Sequence, residues 1–175
     1  TTSPGGLQVS RMKPETNRRY QTYFLYSPQF VFYSDFSEHD HTNHRFEGLF
    51  QYNFAAGFSI DIIDQYNIRE EINDDGLNGI LYEYTDNILS LITTYEPSEK
   101  FKFRFDYSNY QLDYEEAFNN YRDRTDNSFA FYVFYKFKPK TSVFAEYEFA
   151  DIDFDITGGL DSQENRYYGG VAWEM

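Results

Sequence analysis

The stretch Phe101-Lys102-Phe103-Arg104-Phe105-Asp106-Tyr107 sets an aromatic ring at every second position, with one charged side chain between each pair. Successive side chains of an extended chain point to opposite faces, so this is a β-strand with one greasy face and one charged face. The buried face of a soluble strand is usually a mixture of Val, Ile and Leu. Here it is built from rings, and the pattern recurs along the chain with no helical period to compete. The sequence predicts an all-β fold, an antiparallel up-and-down transmembrane β-barrel whose outer face meets lipid.

Composition agrees with this reading. Aromatic residues make up 22% of the chain and charged residues 25%, at a mean hydropathy of -0.72. Alternation halves the hydrophobic signal of a barrel wall, so such an average fits spanning by strands and not by helices. Cysteine is absent, which removes disulfides, thiolate metal sites and a Cys nucleophile from consideration. A net charge of -14 argues against nucleic acid, whose phosphates reward clustered Lys and Arg. The acidic residues crowd two segments, 69–79 and 113–126, which read as solvated loops. Their carboxylates suit divalent cations that bridge to lipopolysaccharide, or a weak Ca²⁺ site.

Residues 1–19 carry Pro4, Gly5, Gly6 and Pro14, show no secretory apolar core, and read as a flexible lead-in to a barrel over 20–175. A chain bound for the outer membrane needs such a signal, so the sequence is expected to be processed or excerpted from a longer polypeptide. Eight strands are expected, near 21–36, 43–53, 57–69, 80–95, 100–114, 127–138, 141–155 and 164–175. Tight turns fall at Phe54-Ala55-Ala56, Glu96-Pro97-Ser98-Glu99 and Pro139-Lys140, and long polar connections at 70–79, 115–126 and 156–163. Bacterial barrels place short turns on the periplasmic side and long loops outside the cell. Prolines 97 and 139 suit turns, where no ladder donor is lost.

Parity then assigns faces. Phe46, Phe50, Phe58, Ile60, Phe101, Phe103, Phe105, Tyr147 and Phe149 are the lipid-facing candidates. Glu47, Gln51, Asp61, Lys102, Arg104, Asp106, Glu146 and Glu148 are expected to line a hydrated lumen. Two stretches resist this assignment. Residues 129–137 are apolar on both parities, and 81–95 switches parity midway, which a bulge or a locally buried lumen face would explain.

Several motifs in the C-terminal half carry a resemblance. They are Tyr121-Arg122-Asp123-Arg124, an aromatic strand ending in Lys138-Pro139-Lys140-Thr141, a strand holding Tyr147, then Asp161-Ser162 and Gly169-Gly170-Val171-Ala172-Trp173. Over residues 43–175 the chain resembles the outer-membrane β-barrel porins of the second type, associated with exopolysaccharide gene clusters in Gram-negative bacteria. The resemblance implies a barrel of more strands than are counted here, and export or passage of polysaccharide. It brings no catalytic residues and no cofactor. Such barrels typically finish on an aromatic residue, whereas this sequence ends Trp173-Glu174-Met175, so further strands are expected and the covered piece reads as part of a wider barrel. A closed eight-stranded barrel is the competing expectation, and its interior would be filled by its own side chains. An unclosed piece would expose two edges that assemble with other chains, which leaves an oligomer open.

Other chemistry is thinly represented. His39, His41 and His44, with Asp40 among them, have spacing that suits Zn²⁺ or Cu²⁺, although a polar loop is the simpler account and no metal is assigned. Ser34 and Ser37 lie near Asp35 and His39 without a Gly-x-Ser-x-Gly elbow. Glu146 and Glu148 have the chemistry for glycoside cleavage, yet lining a lumen is simpler, and no enzyme is expected. The leading function is a passive outer-membrane pore or export channel in which acidic lumen residues favour cations or neutral glycans. A non-conducting structural or adhesive barrel and a soluble β-barrel binding an apolar ligand are the alternatives.

Overall fold

A computed structural model describes residues 19–73, 80–156 and 160–173. The expected lead-in up to residue 18, the acidic residues 74–79, the Gly158-Gly159 loop tip and the terminal Glu174-Met175 lie outside the described residues. Eight strands follow one another: β1 (Tyr20–Val31), β2 (His41–Asn53), β3 (Phe58–Asn73), β4 (Ile80–Ser98), β5 (Phe101–Tyr114), β6 (Arg124–Lys138), β7 (Thr141–Phe154) and β8 (Ser162–Trp173). They form one antiparallel sheet in simple chain order, each strand paired with its sequence neighbours. The sheet is open: β1 and β8 each pair on one side only among the described residues. The all-β, up-and-down expectation therefore holds.

Pro28 sits inside β1 at no cost to the ladder. The Arg19 carbonyl accepts the Asn53 N–H at 2.7 Å, so by alternation the odd residues of β1 bond to β2. Position 28 therefore turns its missing donor toward the unpaired edge, where proline is tolerated.

The short turns all gather at one end of the sheet. Between β2 and β3 the chain turns through Ala56 (φ 68°) and Gly57 (φ 76°). A Cβ on Gly57 would lie 2.3 Å from the Glu96 carbonyl oxygen of the neighbouring strand end, so glycine is required on steric as well as conformational grounds. Gly57→Ala is expected to cost about 1–3 kcal/mol. Ala56→Gly should be neutral or stabilising, because alanine bears the left-handed conformation at a cost. Urea titrations of the two variants check the contrast.

Three sequence expectations need correction and one open choice is decided. The acidic segments expected as solvated loops are partly strand, since β3 runs on to Asn73 and β6 begins at Arg124, and Asp123 and Asp126 are buried. The first strand was expected to reach residue 36 but ends at Val31, because Asp40 Oδ1 accepts the Tyr33 N–H at 2.8 Å and folds the chain back through a 3-10 turn at Ser37–His39. Pro97 lies within the end of β4 at a bulge between Tyr95 and Ser98, and the turn itself is Glu99-Lys100. Of the two explanations for the parity switch in 81–95, the bulge is excluded, since β4 keeps one register against β3 from Ile80 to Tyr95, and a locally covered polar face remains. Tyr82 and Tyr84 simply lie on the polar face near the long-loop end, where Phe118 and Tyr114 meet them.

Three of the connections at the opposite end share one device. Asp40 accepts from the Tyr33 N–H, Asp123 from Tyr114 at 2.8 Å and Asp161 from Phe154 at 2.9 Å. Each time an aspartate at the start of a descending strand ties down an aromatic residue at the end of the ascending one. Two of these loops repeat the order basic–Asp–basic–Thr, as His39-Asp40-His41-Thr42 and Arg122-Asp123-Arg124-Thr125, each with a 3-10 turn before the aspartate. Burial holds the Asp123 carboxyl above its ordinary range, against the lowering by the Tyr114 N–H. A carboxyl raised in the folded state binds its proton more tightly there, so its contribution is complete below the unfolded pKa and is lost as pH rises through the folded value. Asp123→Asn keeps the acceptor without the titration. Its melting temperature should therefore gain on that of the parent chain as pH rises from about 4 to about 7. Asp123→Ala strands the Tyr114 N–H and should cost about 1–3 kcal/mol at every pH.

Candidate functional site

The strand registers sort the paired strand residues onto one of two faces, with Glu96, Pro97 and Phe137 at the bulges left unsorted. On the first lie Phe46, Phe50, Phe58, Ile60, Phe101, Phe103, Phe105, Tyr147 and Phe149, all nine apolar candidates together. This face is open: Phe131 is 45% exposed and Phe105 39%. The second face carries Glu47, Gln51, Asp61, Lys102, Arg104, Asp106, Glu146 and Glu148, all eight polar candidates. It is sheltered, with Asp61 at 8% exposure and Asn67 at 1%. Polar groups are thus covered while rings are bare, the inverse of a soluble sheet.

The apolar face is bounded as a belt, and the belt is inclined to the strands. Its lower edge begins at Trp173, opposite Thr141. It rises two residues to the row Phe101, Tyr135 and Val143, two more to Phe58, Tyr95 and Phe103, and two more to Tyr20, Tyr52 and Ile60. The upper edge is a polar rim that climbs alongside, from Asn165 through Asp151, Asn127 and Asn109 to Asn87 and then His44, except on β3, where Asp64 stands in register with Leu89 inside the belt, below Tyr66. Both edges drift by close to one residue per strand. With about 3.3 Å of rise per residue and about 4.8 Å between strands, the belt crosses the strands at about 35° from their perpendicular.

Tyrosines just below the rim bond to it on the next strand. Tyr26 shares a hydrogen bond with His44 Nδ1 at 2.9 Å, and the Tyr107 and Tyr147 hydroxyls donate to Asn127 Oδ1 at 2.9 Å and Asn165 Oδ1 at 2.8 Å. On the remaining hairpin Asn87 Nδ2 donates to Asp64 Oδ1 at 2.8 Å. Leu89–Tyr95, Phe101–Tyr107 and Val143–Phe149 span the belt in about 20 Å of strand each.

Arginine–carboxylate pairs organise the sheltered face. Arg104 donates to both oxygens of Asp106, at 2.6 and 2.5 Å, and its guanidinium lies 5.2 Å from the Tyr132 ring centre. Arg45 meets Glu47 at 2.7 Å, and Arg166 meets Glu148 at 3.1 Å and also Glu164. Asp86 accepts from buried Asn67 at 2.6 Å and lies 3.4 Å from Arg69 Nε. Glu146 lies directly opposite Tyr132. Between these groups runs a row of short side chains, Ser90, Ser108, Ser128 and Ala150, in register across four strands.

Parity alone had singled out five acids and two bases on this face. The registers add Arg45, Arg69, Arg124, Lys136 and Arg166, together with Glu71, Asp86, Asp126 and Glu164. Nine carboxylates therefore face seven cations, and most of the chain's net charge of -14 lies elsewhere. The partners Arg45 and Arg166 have a sequence signal, since each stands two residues from an acid, but only the register shows Arg166 reaching across to Glu148.

The histidines are placed apart. His41 Nδ1 bonds to the His39 carbonyl at 2.8 Å. By register His41 lies on the sheltered face and His44 on the exposed one. Among the described residues no group of three His, Asp or Glu side chains is arranged to hold a metal ion. His39 packs beside the rings of Tyr33 and Phe36, and no hydrogen bond joins it to Ser34 or Ser37 among the described residues.

At the long-loop end a cavity of about 260 Å³ opens between β5, β6 and β7, lined by Leu112, Tyr121, Arg122, Arg124, Phe154 and Leu160. Arg122 lies 4.4 Å from the Tyr114 ring centre, and Arg124 lies between Tyr110 at 5.5 Å and Phe154 at 5.8 Å. No helix of the described residues is long and apolar enough to cross a membrane, which leaves crossing by strands untouched. Comparison with known proteins found no matching family model, no similar curated protein and no similar solved structure.

Proposed function

We propose that the chain forms an arc of an outer-membrane β-barrel wall in a Gram-negative cell, with the exposed aromatic face against lipid and the paired polar face lining a hydrated passage. One observation carries the reading: the belt is inclined about 35° from the perpendicular to the strands, which puts the strands about 35° from the belt normal, the inclination that strands of a membrane barrel make with the bilayer normal. A bilayer is a flat slab, so it demands an apolar belt that steps along neighbouring strands in proportion to their tilt. A soluble core makes no such demand. The belt is about 20 Å long along the strands and so about 16 Å high at this tilt, shorter than the roughly 25 Å apolar band of such walls, while its tyrosine rim agrees with their aromatic girdle.

The sheet's two edges need partners in hydrocarbon, where an unpaired N–H or C=O costs several kcal/mol. We read the strands as continuing into further strands that close the barrel. The long loops then lie outside, among lipopolysaccharide headgroups, and the short turns face the periplasm. The near balance of charge on the sheltered face favours neutral or weakly charged hydrophilic solutes, polysaccharide among them, moving passively.

A mobility gel tests this reading. Protein that includes the closing strands, refolded into phosphatidylcholine vesicles, should run faster unboiled than boiled, and the same preparation in plain buffer should not. A monodisperse β-rich species in plain buffer would overturn the membrane assignment.

A further inference from the structure

Of the arginines on β2–β8 and their connections, Arg122 alone forms no ion pair among the described residues. It lines the cavity at the long-loop end beside Arg124, whose Nε makes no hydrogen bond and has Asp126 Oδ2 3.5 Å away. Beside these cations the lining is apolar, with Leu112 and Phe154 flanking Arg124 on the neighbouring strands and Leu160 completing it. Tyr121 at 53% exposure and Leu160 at 54% form an accessible rim. A charge left unpaired beside a greasy wall selects a ligand with one anionic group and an apolar face. The volume of about 260 Å³ is near the lower end of small-molecule sites and holds about one ring.

We propose that this cavity binds one acidic sugar unit, its carboxylate on Arg122 and its ring against Leu112, Phe154 and Leu160. A guanidinium offers five N–H donors in a fixed fork, and a carboxylate occupies two of them in bidentate contact. The donors that remain on Arg122 and Arg124 need further acceptors. A uronic acid supplies these from its hydroxyl and ring oxygens, whereas a simple aromatic acid has none beyond its carboxylate. The Arg122–Tyr114 stack pre-orients the guanidinium, so little side-chain freedom is lost on binding.

The site deepens the transport reading and rests on it for its biological sense, since it lies at the mouth through which a solute would pass. Its test is independent of conduction. Titration calorimetry on detergent-folded protein uses D-glucuronate, D-glucose and benzoate as probes. Glucuronate should bind with millimolar affinity, and glucose and benzoate at least about tenfold more weakly. Arg122→Gln should reduce glucuronate binding by about tenfold and leave glucose unchanged. Arg122→Lys, which keeps the charge and loses the fork, should fall between, and an unaltered cold-gel shift in both variants reports intact folding. No glucuronate heat up to about 50 mM, equal binding of glucose, tighter binding of benzoate, or an unaffected Arg122→Gln variant would each overturn the proposal. Conductance in planar bilayers separately decides the pore reading, so the two fail distinguishably.

Discussion

Val133→Arg prevents insertion into bilayers, whereas Ala130→Arg does not: that is the largest expected effect. Val133 stands near the middle of the belt on β6, opposite Phe103 on one side and Ala145 on the other, so under the proposed membrane reading a guanidinium there would lie near the hydrocarbon midplane. Outward Arg or Lys at that depth costs about 2–4 kcal/mol. Ala130, three residues away, is on the sheltered face opposite Asp106 and Glu148, where a new cation meets two carboxylates. The folded fraction in vesicles, read from unboiled gels across a urea series, should fall for the first variant and hold for the second. Equal loss in both would mean that position 133 responds to bulk alone. Loss only in Ala130→Arg would exchange the faces.

The second large effect concerns charge on the sheltered face. Glu146 stands opposite Tyr132 without an ion pair among the described residues, while Glu148 holds Arg166 at 3.1 Å. Combining Glu146→Lys with Glu148→Gln reverses one charge and releases the Arg166 guanidinium. Nine acids against seven bases then become seven against eight, a change of three charges on one wall. In a tenfold KCl gradient the reversal potential should move toward anion preference by on the order of 10 mV, a fraction of the roughly 59 mV of ideal selectivity. An unchanged potential would remove these residues from the conducting path.

Much of the wall was legible in the sequence because a strand's two faces are written by parity. Phe101–Tyr107 could be assigned without any partner strand, and the nine ring-bearing or aliphatic and eight polar candidates fall cleanly onto opposite faces. Register is not written locally, and everything that depends on it stayed hidden. The slant of the belt emerges only when Trp173, Phe101, Phe58 and Tyr20 are lined up across strands. The neutralisation of Glu148 by Arg166 needs the same knowledge, and without it the face looked more acidic than it is.

Turn chemistry misled where two signals competed. Pro97 reads as a turn, but the turn falls two residues later because Ser98 Oγ accepts the Lys100 and Phe101 N–H groups at 3.4 and 3.3 Å. The aspartate ties at Asp40, Asp123 and Asp161 leave a faint mark in the repeated basic–Asp–basic–Thr order, which gains meaning only once the aromatic N–H partner is located. The cavity beside Arg122 joins residues of three strands and two connections, and no spacing along the chain announces it.

The central claim is that the aromatic face meets lipid, and a tryptophan scan of β6 measures it most directly. In a Trp173→Phe background, single tryptophans at positions 129 to 135 would be read for quenching by brominated phosphatidylcholine. Quenching should alternate, strong at Phe129, Phe131, Val133 and Tyr135 and weak at Ala130, Tyr132 and Phe134. Uniform quenching, none at all, or strong quenching at the even positions would contradict the membrane wall.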